Sequence, residues 1–196
     1  MSNDDFVEFK SKYIESPAYH EAGHVVSAVL QRMPLRERGI HVDNACTGCS
    51  YYWDRSPGDN GGSEHDQRER EQTIIALYSG PIAQLRFFQG CSNEDWRNDF
   101  DKLNALLDEQ YPPNSLNRQR ASERLRKRAE DLVDNHWEVI QALAATLISR
   151  PYSNQPECER SQGWSRSPDA LEKVLTGGEV VAFFASLGLA AYIMRE

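Results

Sequence analysis

Along this chain, stretches whose apolar residues recur every three or four positions alternate with short polar stretches rich in Gly, Pro, Asp and Asn. Ala22, Val25, Val26, Val29 and Met33 form the first stripe at helical spacing. Ser16 suits an N-cap, Pro17 the first helical position and Pro34 an end, so a helix is predicted between them. Residues 1–15 are a polar lead-in carrying Phe6, Phe9, Tyr13 and Ile14 for docking. Residues 38–43 and 48–53 read as short strands around a Thr47-Gly48 turn, with Tyr51, Tyr52 and Trp53 as β-forming bulk. Such a hairpin could offer an edge to an extended peptide, or be purely structural. Residues 54–65 are rich in Gly, Asp, Ser and Pro and read as a loop, with His65 at its end.

Ile74, Ile75, Tyr78, Ile82 and Leu85 predict a helix from about Asp66 to Phe88, kinked at Gly80-Pro81. A helix from about Asn93 to Gln110 has Trp96, Phe100, Leu103 and Leu107 as its apolar face. After the break at Tyr111-Pro112-Pro113, a long helix is predicted from about Leu116 to Ser149. His136 falls on its stripe and reads as a packed core histidine. Residues 150–167 are a polar linker, Ser167-Pro168 opens a short helix to about Leu175, and Gly177-Gly178 separates it from an apolar terminal helix. The expected fold is mainly α with a small β-hairpin after the first helix. It occupies residues 1–196 as one domain, with its core at about 13–182.

Charge and cysteines narrow the partners. The formal net charge is -8, which disfavours a nucleic-acid partner. The most basic segment, Arg118 to Arg128, is interleaved with Glu123 and followed by Glu130, so it reads as a solvated helix face. Residues 1–15 have no apolar run and no stretch suits a membrane span, so a cytoplasmic protein without a membrane partner is expected. Cys46 and Cys49 make a CxxC, but Cys91 and Cys158 are scattered singles, so no second pair completes a zinc site.

The chemistry concentrates in His20-Glu21-Ala22-Gly23-His24. On a helix, residues four apart share a face, so both imidazoles can reach one ion. The apolar stripe projects away from them, so one face is expected to pack inside and the other to present two histidines to a cleft. Glu21 lies about 100° round the helix from His20, where its carboxylate can take a proton from water. Asp99 projects at the edge of the Trp96–Phe100–Leu103 face, where a carboxylate is costly unless paired or metal-bound. It is the best-placed third ligand, an exposed or capping aspartate being the alternative.

These residues resemble the zinc peptidase domain of the FtsH family of ATP-dependent proteases. Besides Tyr19-His20-Glu21-Ala22-Gly23-His24, the segment Ser79-Gly80-Pro81-Ile82-Ala83-Gln84 is similar to the family's glycine-rich helix segment. Asn98-Asp99-Phe100-Asp101-Lys102-Leu103 is similar to its Asn-Asp motif, and Thr176-Gly177-Gly178-Glu179-Val180 to its closing segment. The resemblance implies a helical zinc-metallopeptidase domain with His20, His24 and Asp99 on Zn2+ and Glu21 as the base. A shift of the Asn-Asp match would move the third ligand to Glu94 or Asp95. Gln84 stands where the family carries a glutamate. The sequence contains no GxxxxGK[ST] phosphate-binding loop.

Two functions are therefore expected from the sequence. One is a zinc metallopeptidase that cuts unfolded proteins or peptides, by itself, as a homo-oligomer, or with a partner ATPase. The other is a non-catalytic zinc-containing interaction or regulatory module.

Overall fold

A computed structural model describes residues 3–43, 48–52, 64–91, 96–154 and 171–192. Among them are six helices and a four-stranded antiparallel sheet. In chain order they are α1 (Asn3–Leu30), β1 (Leu35–Asp43), β2 (Gly48–Tyr52), α2 (Glu64–Phe87), α3 (Arg97–Asp108), α4 (Leu116–Asn135), α5 (Trp137–Ile148), β3 (Ser153–Asn154), β4 (Leu171–Leu175) and α6 (Gly177–Ser186). A short 3₁₀ turn follows at Ala190–Tyr192. The mainly helical class agrees with the sequence pattern.

The first helix does not start at Ser16. It begins at Asn3 and runs through Pro17. Proline has no N–H for the carbonyl four residues back, here Tyr13. Ser16 Oγ donates to the Tyr13 carbonyl oxygen at 3.0 Å, so the acceptor that Pro17 orphans is satisfied from within the same turn. Ser16 is thus a repair inside the helix rather than its cap. Before that point α1 is mostly exposed, with Phe9 and Tyr13 edge-on to Phe88 at 5.1 and 6.3 Å. From Ser16 to Val29 every residue is buried.

Two apolar clusters hold the elements. In the first, Ala22, Val25, Val26 and Val29 of α1 meet Ile140, Leu143 and Leu147 of α5, with Ile40, Val42 and Leu175 of the sheet and Phe184 of α6. In the second, Ile74, Ile75 and Tyr78 of α2 meet Leu103, Leu106 and Leu107 of α3 and Leu125 and Ala129 of α4. The helix α2 is continuous across Pro81. Leu85, expected on its buried stripe, is exposed.

Three further expectations fail. The predicted 116–149 helix is two helices, broken at His136 with φ -122° and ψ 25°. Backbone bonds from His136 N–H to Leu132 and from Ile140 N–H to His136 span the break, so the apolar periodicity survives it. His136 is half-buried at this joint, not a core residue. Residues 171–175 form a strand, not a helix, because β4 pairs with β1 from Ile40↔Leu175 to Asp43↔Glu172. The sheet order is β2-β1-β4-β3, so the hairpin is part of a larger sheet. Thr176 then caps α6 through a capping box with Glu179. Trp53, the 54–63 loop and most of the 150–167 linker lie outside the described residues. So do the start of the predicted 93–110 helix and of the 167–175 segment.

Candidate metal centre

Both faces of α1 are buried at the motif, and the expectation of an open histidine face is corrected here. His20 is 9% exposed and His24 4%, because α2 lies against the side opposite the valine stripe. The two helices meet at glycines. A Cβ on Gly23 would stand 2.6 Å from the Ser79 carbonyl oxygen. A Cβ on Gly80 would stand 2.4 Å from His24 Cε1 and 2.5 Å from its Nε2. These glycines let α2 press against the motif while leaving the His24 ring its place.

Asp99 completes the group from the first turn of α3. Its Oδ2 lies 2.9 Å from His20 Nε2 and 3.4 Å from His24 Nε2. The two Nε2 atoms are 2.9 Å apart. Among the described residues, this is the group whose ligand atoms all fall within 4.8 Å of one another. It could hold a metal ion.

The outer hydrogen bonds decide what those atoms present to the centre. His24 Nδ1 lies 2.7 Å from the Ala76 carbonyl oxygen, which only accepts, so Nδ1 carries the proton. Trp96 Nε1 only donates, and it lies 2.7 Å from Gln84 Oε1. That fixes the amide with Oε1 inward and Nε2 donating to Ser16 Oγ at 3.1 Å. The same Oε1 faces His20 Nδ1 at 2.9 Å, so His20 Nδ1 also carries the proton. With both Nδ1 atoms protonated, two neutral imidazoles and a carboxylate would turn three lone pairs on one point. Such a convergence is repulsive unless a proton or a cation sits within it. Histidines whose other nitrogen is fixed by a carbonyl are the usual metal-ligand arrangement, so the donor set fits a divalent ion.

Without metal, a proton fills that role. Burial favours neutral His24, but the Asp99 charge and hydrogen bond, the Glu21 charge and the Ala76 carbonyl outweigh it, carrying the pKa up from 6.5 to about 9. For Asp99, burial favours the acid, yet the His24 charge and the two imidazoles beside it hold it well below the usual carboxylate range. His24 therefore keeps its second proton to higher pH than a free imidazole, with Nε2 facing Asp99 Oδ2 and His20 Nε2. Glu21 is buried at 5% and its charge reaches His24.

The structure thus brings together His20, His24 and Asp99, with Glu21 close enough to act on His24 electrostatically. Glu94 and Asp95 lie outside the described residues, as do Cys46 and Cys158 and the side chains of Cys49 and His65. Cys91 Sγ lies 3.9 Å from Ser16 Oγ. The basic segment in α4 is engaged in ion pairs: Arg118 with Asp108 at 2.6 Å, and Arg124 and Arg128 with Glu71 at 2.7 and 3.2 Å. Among the described residues, no helix is long and apolar enough to cross a membrane. The parts of the site that the sequence pattern missed are the Trp96 indole and the Ser16 hydroxyl. Trp96 was assigned to an apolar face, although a buried indole N–H needs an acceptor. No protein-family model matches the chain, and no curated protein matches its sequence.

Proposed function

We propose that this protein is a zinc-dependent metallopeptidase acting on peptides or unfolded chains. The observation that carries the proposal is the convergence of His20 Nε2, His24 Nε2 and Asp99 Oδ2, with both Nδ1 atoms anchored outward. Two imidazoles and one carboxylate make a three-ligand set of the kind that leaves zinc a position for chemistry, whereas structural zinc sites are closed by four protein ligands. Zinc bound there would supply Lewis acidity, polarising a carbonyl and making water a better nucleophile near neutral pH.

The chain's own residues supply the rest. Asp99 offsets part of the ion's charge, and the Gln84 and Ala76 oxygens fix both imidazoles. Glu21 follows His20 directly in the sequence and projects about 100° round the helix from it. In this reading its carboxylate takes a proton from the attacking water and returns it to the leaving amine. The resemblance to the FtsH peptidase domain supports the same ligands and the same base. The substrates we propose are unfolded chains or peptides, taken up by this domain itself or delivered by a partner ATPase. A cytoplasmic setting belongs to this proposal.

The burial of His20, His24 and Glu21 favours a second reading, a zinc-stabilised interaction module without turnover. Glu21→Gln separates the two. It keeps the shape but removes the basic oxygen. For the peptidase, zinc content and thermal stability should hold while cleavage of unfolded casein falls at least about a hundredfold. Equal chelator-sensitive cleavage by both forms would remove Glu21 from its role. Zinc-loaded wild type that cleaves nothing would favour the module.

A further inference from the structure

An amide side chain can face a histidine with its oxygen or, after a half-turn, with its NH₂ group. Gln84 has no such freedom here. Trp96 Nε1 donates to Oε1 at 2.7 Å, and Gln84 Nε2 is directed to Ser16 Oγ at 3.1 Å. Both side chains are buried, Trp96 at 5% and Gln84 at 6%. Reversing the amide would set its NH₂ against the indole N–H, donor against donor. It would also face a donor toward His20 Nδ1. His20 would then have to carry its proton on Nε2, the atom that lies 2.9 Å from Asp99 Oδ2. A protonated Nε2 cannot bind a metal.

We propose that Trp96 and Gln84 are a positioning pair for the metal centre, the indole fixing the amide and the amide fixing His20 with its Nε2 lone pair inward. The inference rests on the metal reading of the site and adds to it what keeps the ligand in its binding form. The pair also ties three helices together at the site. Trp96 is the N-cap residue of α3 and stands three positions before Asp99. The bond that orients His20 on α1 through Gln84 on α2 therefore also holds the helix end that delivers Asp99. A carboxylate at position 84 would need no such lock, since both of its oxygens accept. Trp96 is what makes a glutamine workable there.

That difference gives a test which simple packing by Trp96 would not pass. Zinc affinity is measured by competition with a chromophoric chelator for wild type, Trp96→Phe, Gln84→Glu and the double variant, with circular dichroism to confirm folding. Trp96→Phe should bind zinc about ten- to a hundredfold more weakly, the usual range for losing a partner behind a ligand. Adding Gln84→Glu should restore most of that loss, because the carboxylate cannot present a donor to His20. Unchanged affinity in Trp96→Phe would overturn the pair. So would a double variant as weak as Trp96→Phe, which would make the tryptophan a packing residue only. If Trp96→Phe does not fold, Gln84→Leu and Gln84→Glu in the wild-type background decide: the first should lose affinity and the second keep it, and equal affinities overturn the proposal. Wild type that takes up no zinc would overturn the metal reading and the pair with it. Zinc-binding wild type with an indifferent Trp96→Phe would overturn the pair alone.

Discussion

His41 on β1 and the His20–His24 pair on α1 are all buried beside carboxylates, yet their surroundings differ in kind. His41 is fully buried with Nε2 3.5 Å from Glu172 Oε1 across the β1–β4 ladder, and Arg38 lies 3.8 Å from the other oxygen of Glu172. Arg38, Glu172 and His41 lie in a row there, an arrangement suited to binding two strands together. At His20 and His24 three ligand atoms converge, and the outer nitrogens are held by acceptors that forbid any other tautomer. A buried histidine beside a carboxylate is therefore not by itself a metal signal. The signal is the convergence of acceptors together with outward-locked protons.

The sharpest way to break the comparison is to remove one histidine from each place. His24→Ala should abolish stoichiometric zinc binding, as should His20→Ala. Asp99→Ala should weaken zinc by at least about a hundredfold, beyond the usual loss for a partner behind a ligand, while Asp95→Ala should not. His41→Ala should leave zinc affinity unchanged but cost about 3 kcal/mol of folding stability, since it empties a fully buried position beside Glu172. Zinc titration and denaturant unfolding of the five variants beside wild type decide this. Loss of zinc in His41→Ala would erase the distinction.

A smaller effect is expected from Gly80→Ala. The new Cβ would fall on the His24 ring, and a side chain yields more readily than two packed helices. Zinc affinity should fall by roughly ten- to a hundredfold with helical content kept, as read by titration and circular dichroism. Unchanged affinity would mean that the glycine contact does not set the ring's position.

The pH dependence of the metal-free protein is smaller again. His24 has its pKa raised from 6.5 to about 9. Its contribution to stability is therefore complete below about 6.5 and is lost as pH rises toward about 9. Asp99, whose pKa is depressed from 3.8, contributes above that value and loses its contribution as pH falls further. Metal-free protein should thus melt lower at pH 9.5 than at pH 6, and zinc should remove most of that alkaline loss. An identical alkaline loss with and without zinc would show that the ion does not replace the His24 proton.

The legibility of the sequence follows the same contrast. The grouping of His20 with His24 could be read because residues four apart on a helix share a face, and the structure brings Asp99 to them. Asp99 stood out at the margin of an apolar face, with an exposed or capping aspartate as the alternative, and the family resemblance pointed to the same residue. Trp96 was placed on the right face, but the donor on its indole was not used. The start of α1 was misplaced because Ser16-Pro17 has the composition of a helix start, and the Ser16–Tyr13 bond that carries the helix across proline is a three-dimensional fact. The break at His136 carries no Gly or Pro, so nothing local marks it. Leu171–Leu175 contains good helix formers, and its strand state comes from pairing with β1, a contact far away in the chain.

Zinc taken up by this protein should be held by two imidazoles and one carboxylate. X-ray absorption at the zinc edge of the reconstituted protein tests it most directly, because sulfur ligands lie farther out than nitrogen or oxygen and imidazole rings add their own outer-shell scattering. The predicted result is zinc with two imidazole nitrogens and oxygen, all at about 2.0–2.2 Å, unchanged when Cys46 and Cys49 are both replaced by Ser. A sulfur shell at about 2.3 Å, or no zinc retained after reconstitution, would contradict it.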